Sequence, residues 1–297
     1  MKRRFHQLDV FSAVPLKGNP LAVVHAAQGL SDDAMAAFAR WTNLSETSFL
    51  LPPTEAAADY RVRIFTPGGE LPFAGHPTLG SCWTWLAAGG VPRDAGTVVQ
   101  ECGVGRVRIR RGGGRLARDG DAVGRLAPDG TAVGRLAFAA PPLRRTGPID
   151  AELLQRIARA IGVAPGDIAH HRWVDNGPGW CAVMLRSAAQ VLAVKPDWAL
   201  LGELKLGLIG AQAAGQDTLF EVRAFVPSMG VPEDPVTGSL NAGLAQWLIG
   251  AGLAPPAYVA AQGAALGRAG RVHVEQSGAD IWIGGDVAAC IEGEVDL

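Results

Sequence analysis

The chain repeats itself, and this limits the folds open to it more than any other feature. Residues 62–67 read "VRIFTP" and residues 222–227 read "VRAFVP". An irregular loop follows each, and then a small-residue turn opening a helix: "AGHPTLGSCWTWL" from Ala74 and "TGSLNAGLAQWLI" from Thr237. In each helix a glycine is followed five residues later by another, Gly75 by Gly80 and Gly238 by Gly243. Upstream, "FSAVPLKGNPLAVV" (11–24) has a looser echo in "WVDNGPGWCAVML" (173–185), each a strand, an Asn/Gly/Pro turn and a strand. Similarity over such a span predicts one supersecondary plan used twice. Its alternative is chance likeness between short blocks. The join falls near "FAAPPLRRTGPID" (138–150), which gives domains of 1–139 and 140–297.

Short β-rich runs alternate with a few helical ones, so the expected class is α+β. "YRVRIF" (60–65) alternates charged and apolar residues as a half-buried strand does. "VEQSGADIWIGG" (274–285) reads as a hairpin turning at Ser277-Gly278. The run "SDDAMAAFARWT" has Ser31 as N-cap and two acids in its first turn. Its counterpart in the second half is "KPDWALLGELK", followed by the strand "LGLIGAQ". With 297 residues, 48% of them apolar, the chain can fill two cores. A second repeat has another character: "RLARDGDAVG" (115–124) is followed at once by "RLAPDGTAVG" (125–134). We read 115–134 as an inserted decapeptide duplication forming an extra hairpin or loop, with no catalytic role; a contact to a partner is the alternative.

Lys and Arg number 27 against 28 Asp and Glu, so no net field draws the protein to nucleic acid or to an anionic membrane. The start "MKRRFHQLDVF" has the basic residues of a signal peptide without its apolar core, and no run approaches the length of a membrane span. The expected compartment is the cytoplasm and the expected partner a small molecule or a protein. Cys82, Cys102, Cys181 and Cys290 lie far apart with no CxxC spacing, which argues against zinc and against a disulfide framework.

A carboxylate stands out within "TNLSETSFLLPP" (42–53), which otherwise reads as an apolar strand. Burial raises the pKa of such a group toward the working pH of a general acid/base, and this makes Glu46 the candidate for proton transfer. Capping the strand or pairing with an arginine is the structural alternative. Two Gly-led helix starts, at Gly75 and Gly238, can each present free backbone N–H groups at the positive end of a helix dipole, a good place for a carboxylate if both open on one cleft. Otherwise the two glycines only permit tight turns. His76 sits at the first start, where imidazolium is disfavoured; Ser239 sits at the second. Asp234, in the loop entering the second helix, can hold a cationic amine, or it can simply open an Asp-Pro turn. No GxSxG elbow, HExxH helix or GxGxxG strand-turn-helix is present, which leaves a cofactor-free enzyme as the leading class.

The segments "DVFSAVPLKGNPLAVV", "NLSETSFL", "RIFTPGGELPFAGHPTLG" and "EDPVTGSLNAG" resemble the PhzF-like proteins over nearly the whole chain apart from the insert. The resemblance implies the diaminopimelate epimerase-like fold: two pseudo-symmetric domains, each a curled, mostly antiparallel sheet around a central helix, assembled as a homodimer. It also implies isomerase chemistry without metal or cofactor on a compound such as trans-2,3-dihydro-3-hydroxyanthranilate. Glu46 then moves the proton, with His76 and Asp234 beside it and Ser45, Gly75, Gly238, Ser239 and, more weakly, Asn19 around the substrate. The related epimerases use two cysteines where this chain has His76 and Ser239, so a racemase is the weaker reading. A family member that binds a protein without catalysis is the remaining one.

Overall fold

In the computed structural model, which describes residues 1–112, 134–229 and 231–297, the chain divides into two compact units. Met1–Ala139 and Gly284–Leu297 form the first, Ala140–Ile283 the second. The duplicated decapeptide, apart from Gly134, lies outside the described residues.

The first unit contains strands β1 (Lys2–Val10), β2 (Asn19–Val24), β3 (Glu46–Leu51), β4 (Tyr60–Thr66), β5 (Gly69–Leu71), β6 (Thr97–Cys102), β7 (Gly105–Arg111) and β8 (Leu136–Ala139). Helix α1 (Asp32–Thr42) lies between β2 and β3, and α2 (Gly75–Ala87) follows β5. β1 pairs antiparallel with β2, β2 parallel with β3, β3 antiparallel with β4; β4 takes β5 antiparallel and β6 parallel, and β6 pairs antiparallel with β7. The second unit has β9 (Arg145–Gly147), α3 (Ala151–Ile161), β10 (Ile168–Asp175), β11 (Trp180–Leu185), α4 (Ala188–Ala193), α5 (Trp198–Leu201), β12 (Lys205–Ala211), β13 (Phe220–Phe225), β14 (Glu233–Asp234), α6 (Gly238–Gly250), β15 (Ala257–Gln262) and β16 (Gly270–Ser277), and β17 (Asp280–Gly285) leads out of it. From β10 to β16 its pairings follow the same sequence: antiparallel, parallel, antiparallel, then β13 with β14 antiparallel and β15 parallel, and β15 with β16 antiparallel. Each unit is thus a curled, mostly antiparallel sheet around one helix.

Those central helices contain no Asp, Glu, Lys or Arg, and almost every position of α2 and α6 is buried. A helix apolar all round belongs in a core rather than on a surface. The second glycine of each pair makes the fit possible. A Cβ on Gly80 would fall 2.4 Å from Leu21 Cδ2, and one on Gly243 would fall 2.2 Å from the Val174 carbonyl oxygen.

The "VR-F" repeat has a physical meaning in both units. Arg63 forks onto Glu70 of β5 at 2.7 and 2.6 Å, lies over the Phe65 ring at 5.1 Å, and reaches Asp32 of α1 at 2.6 Å. Arg223 forks onto Glu233 of β14 at 2.9 and 2.8 Å, lies over Phe225 at 4.9 Å, and donates to the Val191 and Val194 carbonyls at the end of α4. Bidentate pairs of this kind fix orientation as well as attraction. In each unit the arginine therefore ties a short outer strand and an outer helix to the sheet.

This contact corrects one sequence expectation. The counterpart of α1 is α4, not a helix over "KPDWALLGELK", where only the four-residue α5 forms between Pro196 and Gly202. A second difference concerns the chain's last segment, read from sequence as part of 140–297. Strand β18 (Val287–Asp296) instead pairs antiparallel with β1 and belongs to the first unit. Among the described residues, no helix is long and apolar enough to cross a membrane.

The two glycine approaches differ in what they meet, backbone in one case and a leucine side chain in the other. Gly243→Ala should destabilise the protein by roughly 1–3 kcal/mol, the usual cost of overpacking, whereas Gly80→Ala should cost less because Leu21 can turn away. Urea unfolding of both variants measures this. Equal losses would contradict it.

Candidate active site

Five of the residues singled out from sequence meet in the first unit. Glu46 is the first residue of β3 rather than an interior one, next to Leu21 of β2 in the parallel register. Only 8% of it is exposed. His76, 3% exposed, is the second residue of α2, and its Nε2 lies 3.4 Å from Glu46 Oε2. Asn19, the first residue of β2 and wholly buried, brings Nδ2 to 3.3 Å from His76 Nδ1. Ser45 Oγ donates to Asn19 Oδ1 at 3.3 Å, which links Ser45, Asn19 and His76. The neutral ring has two tautomers; its Nδ1 lies beside the Asn19 amide and its Nε2 faces the carboxylate.

Distance alone would allow an ion pair here, but the surroundings disfavour imidazolium. Burial pushes His76 down to about 3, with a hydrogen bond to the Pro20 backbone working the other way. The positive end of α2 acts in the same direction as burial. His76 is therefore a neutral hydrogen-bonding group at pH 7. The start of α2 adds donors: Ala74 is the N-cap and supplies no side-chain cap, so Gly75 and His76 have N–H groups without an intrahelical acceptor, while Pro77 has none to offer.

The other three predicted residues lie in the second unit. α6 also starts without a side-chain cap, at Thr237, so the amides of Gly238 and Ser239 have no intrahelical acceptor. Ser239 Oγ accepts from Trp180 Nε1 at 3.0 Å, which leaves the hydroxyl hydrogen to be donated, and its carbonyl accepts from Asn176 Nδ2 at 2.8 Å. Asp234, in β14 and half-buried, accepts from Thr237 Oγ1 at 2.6 Å through Oδ2. Sequence reasoning missed Asn176, Trp180, Thr237 and Gln262. A signal existed for Asn176, because "WVDNGPGW" echoes "PLKGNPLA". The two asparagines sit on opposite sides of their turns, yet each bonds the second residue of its central helix.

Register shows what each unit holds at matching positions. Thr47 pairs with Phe65 and Leu206 with Phe225, so Glu46 corresponds to Lys205; the second strand starts one residue earlier than "LGLIGAQ" and does carry a charged group. Ile64 pairs with Leu71 and Ala224 with Asp234, so Asp234 corresponds to Leu71. Among the described residues no three His, Cys, Asp or Glu side chains are grouped to hold a metal ion. Cys82 and Cys181 are buried, which pushes the Cys181 thiol up to about 12 and Cys82 further in the same direction.

A curled, mostly antiparallel sheet around a buried helix, built twice, is the plan of the PhzF and epimerase-like folds. The model of the PhzC-PhzF family, phenazine biosynthesis-like proteins, matches residues 8–293, and the chain belongs to that family. It is 33% identical to antisense-enhancing sequence 1 of Schizosaccharomyces pombe, over 98% of this chain and 97% of the relative. To the trans-2,3-dihydro-3-hydroxyanthranilate isomerase of Pseudomonas aeruginosa it is 32% identical over 99% of each chain. The solved structure of a predicted epimerase from Pseudomonas aeruginosa superposes with a TM-score of 0.76 at 26% identity, covering 99% of each chain.

A histidine held neutral by folding makes stability depend on pH in a definite direction. Because His76 is depressed from 6.5 to about 3, the unfolded chain binds more protons below pH 6.5, so stability should fall as pH falls from 6.5 toward 3. His25, depressed to about 4 by burial and by His6 and Arg4, adds to the slope over the upper part of that window. Urea unfolding at pH 7, 6 and 5 should show a decline approaching ~1.4 kcal/mol per pH unit for each such histidine. His76→Gln should make the decline shallower; an unchanged slope would mean that His76 is not held neutral.

Proposed function

We propose that the protein is an isomerase that needs neither metal nor cofactor and moves a proton on a small amino or hydroxy carboxylic acid similar to trans-2,3-dihydro-3-hydroxyanthranilate. Glu46 is the general acid/base. The observation that carries this reading is the buried Glu46 carboxyl 3.4 Å from a neutral His76 at an uncapped helix start, in a family with named isomerases. The Glu46 carboxylate takes a proton from one substrate carbon and becomes a carboxylic acid; the electron pair left behind moves through an adjacent double bond; Glu46 then returns the proton to a second carbon. No net oxidation occurs and Glu46 ends as it began. His76 orients the carboxyl, and its N–H stabilises the charged form when the proton is away. The Gly75 amide binds the substrate carboxylate, with Ser45 and Asn19 holding His76; in the second unit the amides of Gly238 and Ser239 bind an anionic group and Asp234 takes a cationic amine. The near-balanced charge and the family resemblance support a cytoplasmic homodimer that binds neither nucleic acid nor membrane.

One observation favours a second reading, a binding or regulatory protein that keeps the site without using it: the fission-yeast relative bears a name that describes no reaction. A two-thiol racemase has less support, because Cys82 is buried with its thiol pKa raised and the helix starts carry His76 and Ser239. The test is NMR in deuterated water with trans-2,3-dihydro-3-hydroxyanthranilate and a panel of cyclic and β-hydroxy amino acids. Substrate conversion or deuterium uptake should be present in the wild type and reduced by roughly 10²–10⁴-fold or more in Glu46→Gln. Equal rates in the two proteins would sink the mechanism. A partner protein that still binds after Glu46 and His76 are both replaced would support the second reading.

A further inference from the structure

One buried side chain in the second unit ties the turn that carries Asp234 to the start of α6. Gln262, the last residue of β15, is 1% exposed. Its Oε1 accepts from the Thr237 backbone N–H at 3.0 Å and from Asn241 Nδ2 at 2.9 Å; its Nε2 donates to the Asp234 carbonyl at 3.2 Å and to Thr237 Oγ1 at 2.9 Å. A backbone N–H can only donate and a backbone carbonyl can only accept, so these contacts fix which end of the amide is which. All four bonding positions of the amide are then used. Thr237 Oγ1 receives a hydrogen from Gln262, and its own single hydrogen goes to Asp234 Oδ2, 2.6 Å away. The hydroxyl is thereby locked as a donor to the carboxylate.

The first unit supplies the contrast. Gln100 stands in β6, the strand that pairs parallel with β4 as β15 does with β13. It too is buried at a helix start, donating to Thr78 Oγ1 at 3.0 Å and accepting from Tyr60 Oη at 2.8 Å. Thr78 passes its hydrogen to the Ala74 carbonyl at 2.9 Å, and no carboxylate takes part. A buried glutamine thus closes a helix start in both units, but only in the second does the chain of hydrogen bonds end on an acid. The neighbouring Glu233 is already taken by Arg223, so the strand carrying Asp234 is clamped on one side while Thr237 holds its side chain on the other.

We propose that Thr237 and Gln262 are positioning residues for Asp234, holding its carboxylate ionised and in one orientation to receive the cationic amine of an amino acid substrate. This rests on the reading of Asp234 as a substrate-binding group. The test compares full-length wild type, Asp234→Asn, Thr237→Val, which keeps the shape without the hydroxyl, and Thr237→Ser, which keeps the hydroxyl. Thermal melts establish that each is folded. In a substrate-free arm, carbon-13 NMR follows the titration of the Asp234 carboxyl, assigned by its absence in Asp234→Asn. Loss of a hydrogen bond to the charged form should raise the midpoint by about one pH unit or more in Thr237→Val, with Thr237→Ser close to wild type. In the activity arm, KM for an amino acid substrate from the panel should rise at least tenfold in Asp234→Asn and in Thr237→Val, with kcat less affected and recovery in Thr237→Ser. A midpoint unmoved by Thr237→Val would overturn the positioning role. If the midpoint moves but Asp234→Asn leaves KM unchanged, the assignment of Asp234 to substrate fails, and the proposed purpose fails with it.

Discussion

A helix buried on every side cannot leave its first-turn N–H groups to water. Both central helices are of this kind, and neither start is covered by a capping side chain. The amides of Gly75 and His76 in one unit, and of Gly238 and Ser239 in the other, therefore point from the core with no acceptor along their own helix. Most of the remaining structure follows from making such a helix fit. Uncharged sequence keeps it buried, Gly80 and Gly243 let strands approach it, and the Arg–Glu clamps hold the outer strands and helices that enclose it. The candidate site residues lie at these helix starts.

The two units share a scaffold and differ in what they place on it. Position for position, the first unit has Glu46 where the second has Lys205, His76 where the second has Ser239, and Leu71 where the second has Asp234. The inequality accords with the proposal that a single carboxylate, Glu46, both removes and returns the proton. It fits less well with an epimerase mechanism that requires a matched acid and base on opposite faces.

Much of this could be read from the chain, for identifiable reasons. The repeat was legible because the "VR-F" arginine has the same double task in each unit and the spaced glycines answer the same close approach. His76 as a neutral group followed from its place at a helix start, which the structure reinforces with burial. The return of β18 to β1 was not legible, since an alternating edge segment fits any open edge. Nor was the role of α4, whose six residues give too little periodicity to outweigh the more helical-looking run after it. Gln262 and Thr237 were invisible for another reason. They lie 25 positions apart and meet through hydrogen bonds between small polar side chains, which leave no periodic trace.

Membership of the PhzC-PhzF family bounds the chemistry, and the mechanism proposed for Glu46 is sharper: one buried carboxyl carries the proton from donor carbon to acceptor carbon. A single-turnover experiment with substrate deuterated at the carbon that loses its proton addresses this most directly. Since Glu46 is largely shielded from solvent, part of the deuterium should be found at the acceptor carbon of the product. An acceptor carbon filled wholly from water would show that the proton is not handed on directly, and would contradict transfer by a shielded Glu46.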